Sequence, residues 1–411
     1  MLGDNRGRGR HFTMKILTSC FIVYMLSSLF YPVYSLAATA AEESSTPSLT
    51  NSATDQLAEL EIDTISTYWE KLREEYGGYF PDRAVPSFKE MLNPSGDSFK
   101  LKTMLQGLLR YLWHEVLYNG KLLVTIVFLT VFSMILQNLQ TAFENNTVST
   151  VAYTITFMVL LIIAVNSFYV AIDYAKDAIQ SMIHFMLAMV PLLLTLLASM
   201  GSVITVSMMH PLIILMIHVV GTVVYTVVFP LLFFSAVLHI TSALSEKYKV
   251  TQLANLLRTI GVSILGGLLA IFLGVISVQG VTGAVTDGVT IRTAKYVTGN
   301  FIPVVGKMFS DAADTVISAS LIAKNAVGIV GVVIILFLSA FPAIKILTLA
   351  LIYHVSAAVM QPLGSSPIVT CLQTIGKTMI YIFAALATVS LMFFLAVTIV
   401  ITAGNAAVMV R

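Results

Sequence analysis

Met379–Ala403 reads MIYIFAALATVSLMFFLAVTIVITA, 25 consecutive residues without a charged side chain. On an α-helix rising about 1.5 Å per residue this stretch is about 37 Å long, more than the roughly 30 Å hydrocarbon core of a bilayer. Further apolar runs of similar character occupy Leu122–Leu139, Val148–Ile172, Met182–Met200, Val203–Val220, Thr222–Ala243, Ile260–Gln279, Val327–Ala343 and Ile346–Met360. The pattern predicts an all-α polytopic membrane protein with about eight to ten transmembrane helices. Several runs follow one another without a polar gap, so tight turns or kinks are expected near Pro191, Gly201, Pro211, Pro230 and Pro342.

Composition supports the same class. Of 411 residues, 57% are hydrophobic and 11% charged, against about 25% charged in ordinary soluble domains. Residues 121–411 hold 12 Lys and Arg with 7 Asp and Glu, whereas residues 41–120 hold 7 basic and 13 acidic groups. A soluble enzyme is excluded on this ground. The net charge of +2 comes from scattered basic residues, which gives no footprint for nucleic acid.

Four regions are expected. Residues 1–41 read as a signal peptide, with Arg6, Arg8, Arg10 and Lys15 before an apolar run from Ile16 to Leu29 and small residues at Ser35-Leu36-Ala37 and Ala38-Thr39-Ala40. An uncleaved first anchor is the alternative, and Met14 is a possible start. After cleavage Cys371 is the only cysteine left, so no internal disulfide can form. Residues 42–120 form an acidic extracytoplasmic segment; residues 121–259 and 260–411 form the two parts of the membrane domain.

Within the acidic segment, apolar residues at Leu57, Leu60, Ile62, Ile65, Tyr68, Trp69 and Leu72 recur near helical spacing until Gly77-Gly78 and Pro81. Such a face needs a cover: lipid, the rest of the chain, or a partner. Leu60, Tyr68 and Trp69 are the candidate partner-binding residues, and the acids on the opposite face argue against anionic lipid. A second helical pattern from Phe99 to Trp113 places Tyr111, Trp113 and Tyr118 as an interfacial aromatic belt leading into the first span.

The chain also matches itself at offsets of about 112–115 residues. Val190-Pro191 pairs with Ile302-Pro303, and Phe229-Pro230 with Phe341-Pro342. His239-Ile240-Thr241-Ser242-Ala243 pairs with His354-Val355-Ser356-Ala357-Ala358, and Leu257-Arg258-Thr259-Ile260-Gly261 with Leu372-Gln373-Thr374-Ile375-Gly376. A duplication is expected, a plan common in transport proteins. The second copy differs by carrying Lys307, Asp311, Asp314 and Lys324 where the first is apolar. Lys307, Asp311 and Asp314 share one helical face and are the candidate polar path; a surface helix is the bland reading. The basic loop around Lys247, Lys249 and Arg258 is expected inside. If residues 294–325 cross as two short spans, the repeats are parallel and Arg411 is external; otherwise they are inverted.

There is no Walker A loop, dinucleotide glycine fingerprint, His-Glu-x-x-His or paired-cysteine motif. No enzyme activity, cofactor or metal is expected. The histidines are isolated, and Thr286-Asp287-Gly288 lacks the rest of an intramembrane protease motif.

Tyr68-Trp69-Glu70, Tyr76-Gly77-Gly78-Tyr79-Phe80-Pro81 and Gly299-Asn300-Phe301-Ile302-Pro303-Val304-Val305-Gly306, followed by Asp311 and Asp314 and a terminal apolar span, resemble the stage III sporulation protein AE family of endospore-forming bacilli. The likeness runs from about Leu57 onward. It implies the mother-cell membrane around the forespore and a channel-like or secretion-like complex needed for late forespore development. The implied partners are the other stage III sporulation A-operon proteins (the AA ATPase, AB, AC, AD, AF, AG and AH), the forespore protein Q and membrane lipid. The resemblance brings no catalytic residues. A conduit or permease-like core is the expected role, with a non-conducting scaffold or a stand-alone secondary transporter as alternatives.

Overall fold

A computed structural model describes residues 63–80, 85–92, 101–142, 147–244, 250–301, 305–363 and 367–409. The signal peptide and Leu60 lie outside these residues. Among the described residues the regular structure is entirely helical, in chain order α1 Asp63–Tyr76, α2 Phe88–Leu92, α3 Leu101–Tyr118, α4 Gly120–Ala142 and α5 Thr147–Ser199. There follow α6 Val203–Val223, a π-helical turn at Val224–Val228, α7 Phe229–Leu244, α8 Thr251–Phe301, α9 Val305–Met360 and α10 Pro367–Met409.

The all-α membrane class stands, with fewer and longer helices than the apolar runs suggest. Five helical stretches are long and apolar enough to span a bilayer: Val151–Ser199, Val203–Ser242, Thr251–Ala294, Asp314–Met360 and Pro367–Ala406. The α3–α4 pair, bent by 43°, supplies a further apolar stretch. A continuous helix of 53 residues such as α5 is about 80 Å long and crosses a bilayer of about 30 Å once. Val148–Ile172 and Met182–Met200 therefore share a single crossing, as do Val203–Val220 with Thr222–Ala243 and Val327–Ala343 with Ile346–Met360.

The prolines explain part of the difference. Pro191, Pro211 and Pro342 lie inside continuous helices, where a missing backbone hydrogen bond need not end a helix packed among neighbours. Pro230 follows the π-helical turn Val224–Val228, whose wider spacing relieves the clash of a proline ring with the preceding turn. Gly201 makes the turn: its φ of 85° closes the α5–α6 connection in a conformation that side chains with a Cβ avoid.

The bundle is up and down. α9 and α10 run antiparallel, with Ser390 Oγ donating to Ser339 Oγ at 2.8 Å and His354 beside Gly376. α8 and α10 run parallel, since Phe272 meets Phe393 and Ala284 meets Ala403. Residues 294–301 and 305–325 are thus the adjoining ends of α8 and α9, not a separate pair of short spans. Three of the four matched pairs fall on two successive hairpins of the same direction, α6–α7 with α8 and α9 with α10, whereas Val190-Pro191 lies on α5 and Ile302-Pro303 lies outside the described residues.

The acidic segment is laid onto this bundle. α1 turns Ile65, Trp69, Leu72 and Tyr76 inward, while Asp63, Glu70, Lys71, Arg73, Glu74 and Glu75 remain exposed. Tyr68 meets Phe185 of α5 edge-on at 5.4 Å, Trp69 meets Phe337 of α9 at 5.8 Å, and Tyr76 stacks on Phe341 at 3.7 Å. Trp69 Nε1 donates to the Pro86 carbonyl at 2.9 Å. Each side chain buried this way contributes about 1.5–3 kcal/mol. α3 adds Tyr111, and Gly107 has no side chain where the Phe80 ring sits.

Candidate functional site: two buried charges at helix ends

The α5–α6 turn leaves the first backbone N–H groups of α6 without intrahelical acceptors. Ser202, in the N-cap position, makes no capping bond with its side chain. Asp287 of α8 does this from another helix: Ile204 N donates to Oδ1 at 3.0 Å and Thr205 N to Oδ2 at 2.9 Å. The carboxylate is 1% exposed and lies at the positive end of the helix dipole. Gly283, one turn earlier, permits the approach, because a Cβ there would come within 2.6 Å of Thr205 Oγ1.

Lys324 of α9 is fully buried. Its Nζ donates to the Ile401 carbonyl at 2.8 Å and to Asn405 Oδ1 at 2.7 Å. Both acceptors belong to the last turns of α10, the negative end of that helix. Gly404 makes the space: a Cβ on it would collide with the ammonium. Beside this contact Ser199 Oγ donates to Ser320 Oγ at 2.9 Å, while Asn325 Oδ1, Ser202 Oγ and Thr205 Oγ1 are buried without a hydrogen-bond partner. The Arg73–Glu70 ion pair, 3.3 Å long, lies elsewhere, on the exposed side of α1. The two buried charges are therefore held by helix ends and amides, not by opposite charges.

Lys307, Asp311 and Asp314 all lie on α9, the helix that carries Lys324, so their backbone spacing is helical. The side chains of Lys307 and Asp311 lie outside the described residues. Asp314 is half-buried, and its carbonyl accepts from Ser318 Oγ at 2.8 Å. Tyr68 and Trp69 are packed against α5 and α9, so the apolar face for which a partner was one expected cover is occupied by the chain itself. Sequence reasoning singled out Lys324 as a misfit but gave Asp287 no role. The signal was present: Asp287 is the sole charge between Arg258 and Arg292.

A family profile described as Stage III sporulation protein AE matches residues 86–404. The chain belongs to that family. A curated relative, "Stage III sporulation protein AE" of Bacillus subtilis (strain 168), is 56% identical over 363 residues, covering 87% of this chain and 90% of the relative. No solved structure matches this chain. The matched region of the AE family runs from Pro86, the acceptor for Trp69, to Gly404, which makes room for Lys324. This chain is accordingly a multi-pass sporulation protein.

Proposed function

We propose that this AE-family protein is the conduit or permease-like core of a channel-like complex in the mother-cell membrane around the forespore. It works there with the AA ATPase, AB, AC, AD, AF, AG, AH and the forespore protein Q, and it supports late forespore development without catalysing a reaction of its own. The observation that carries this reading is the pair of buried charges, Asp287 and Lys324, where α5–α6, α8, α9 and α10 meet. Burying an ionisable group in an otherwise apolar helix bundle is costly, and in membrane proteins such groups mark ion or substrate pathways. Asp311 and Asp314 extend the polar character along α9 from the same end.

The test is a D311N/D314N double variant in a sporulating cell. The expected result is blocked development with normal protein level and normal partner localisation; normal spore yield removes these two residues from the path. A non-conducting scaffold is the second reading. It is favoured by the solid apolar filling between α5, α9 and α10, where Phe185, Met189, Leu193, Ile334 and Phe393 are all fully buried. Under that reading the double variant sporulates unless the protein is lost.

A further inference from the structure

α3 is fixed on one side and bare on the other. Its inner side holds Tyr111, which meets Tyr76 at 5.7 Å, Tyr79 at 4.8 Å and Phe341 at 5.0 Å. Gly107 receives the Phe80 ring on the same side, so the helix cannot roll without breaking an aromatic cluster. The outer side carries Leu105, Leu109, Trp113 and Leu117, spaced four apart and 56–67% exposed. After the 43° bend the stripe continues on α4 through Val124, Phe128 and Phe132, all exposed.

Charge distinguishes this surface from α1. Between Leu101 and Ala142 the charged residues are Lys102, Arg110, Glu115 and Lys121. The single carboxylate, Glu115, is buried and accepts from Asn119 Nδ2 at 3.4 Å. Arg110 and Lys121 are exposed. An apolar stripe with an aromatic residue, cations beside it, no exposed carboxylate, and direct continuity with a bilayer-length helix fits a phospholipid surface. α1, with four exposed acids, does not.

We propose that α3 is an interfacial helix seated on the phospholipid surface, with Leu105, Leu109, Trp113 and Leu117 at the boundary of headgroups and acyl chains and Arg110 and Lys121 against lipid phosphates. The bend at Tyr118–Gly120 is where the chain turns from that surface into the bilayer. This assignment is independent of what, if anything, the bundle conducts.

The full chain holds two tryptophans, so the emission of the native protein minus that of W113F reports Trp113 alone and leaves the buried Trp69 untouched. The protein is reconstituted in phosphatidylcholine and phosphatidylglycerol vesicles brominated either near the headgroup or near the end of the acyl chains. Headgroup-proximal bromine is expected to quench the difference emission about twofold more than terminal bromine, as befits an aromatic side chain at headgroup depth. Stronger quenching by terminal bromine makes α3 part of a span and overturns the proposal. Quenching by aqueous iodide but not by bromolipid overturns it too, and so does protection from both, which would mean that protein covers the stripe.

Discussion

Asp287 and Lys324 are both buried near the same end of the bundle, and among the described residues neither forms an ion pair. The carboxylate faces the start of α6 and the ammonium faces the finish of α10. Each is matched in sign to the helix terminus that holds it. The arrangement ties two helix ends to α8 and α9 through charges whose partners are backbone groups and one amide.

Removal of the carboxylate leaves two N–H groups of α6 without acceptors. D287A is expected to lower stability by about 1–2 kcal/mol, the range for loss of a capping side chain. D287N, which keeps one acceptor, is expected to lose less. Thermal unfolding in detergent ranks the variants, and an unchanged midpoint in D287A overturns the capping role.

Lys324 separates a stability role from a functional one. A buried charge replaced by an apolar side chain of similar volume is often neutral or stabilising. K324M is therefore expected to keep or raise the unfolding midpoint while reducing spore yield. G404L, which fills the ammonium's space, is expected to reproduce the sporulation defect. Wild-type yield in K324M ends the functional assignment.

The hairpin directions predict topology. With the mature N-terminus outside, six crossings by α4, α5, α6–α7, α8, α9 and α10 put the Lys247–Lys249 loop inside and Arg411 outside. In a chain with Cys371 replaced, a cysteine at Arg411 is expected to react with an impermeant thiol reagent on intact cells, whereas one at Lys247 reacts only after permeabilisation. The reverse pattern inverts the assignment.

Burial raises the Tyr76 phenol above its ordinary value, and neighbouring Glu75 adds to the effect. A group whose folded-state pKa is raised supports folding fully below its unfolded value, near 10 for tyrosine, and loses that support as pH rises further. Docking of α1 is thus expected to be insensitive to pH up to about 10 and to weaken above it. Trp69 emission followed against tyrosinate absorbance checks this; tyrosine ionisation of Tyr76 with α1 still docked contradicts it.

The helical membrane class was legible because charge is scarce over long runs, and solvent chemistry alone decides that. The number of crossings was not, because apolarity does not tell whether two runs lie on one straight helix. Asp173, Lys176 and Asp177 interrupt the hydropathy and read as a loop, yet they sit on α5, with Asp173 and Asp177 exposed on one face. Lys345 adds a similar break on α9, where its ammonium lies 4.8 Å from the centre of the Tyr174 ring. The amphipathic face of α1 was readable, but its cover was not, since Phe185 and Phe337 look like any other residues of apolar runs. Lys324 stood out as a charge in the wrong place. Asp287 was visible as a lone charge, but its role was not, because the groups it holds belong to a helix far away in sequence.

Trp69 rests against Phe337, well over half the chain length later. A ribosome delivers α1 long before α9 exists, so the earliest described helix has no completed seat when it emerges. Its apolar face must be shielded by something transient during synthesis, and closure of the structure waits on a late insertion step. Truncation after α8 would leave α1 stranded, which makes early termination conspicuous to membrane quality-control proteases.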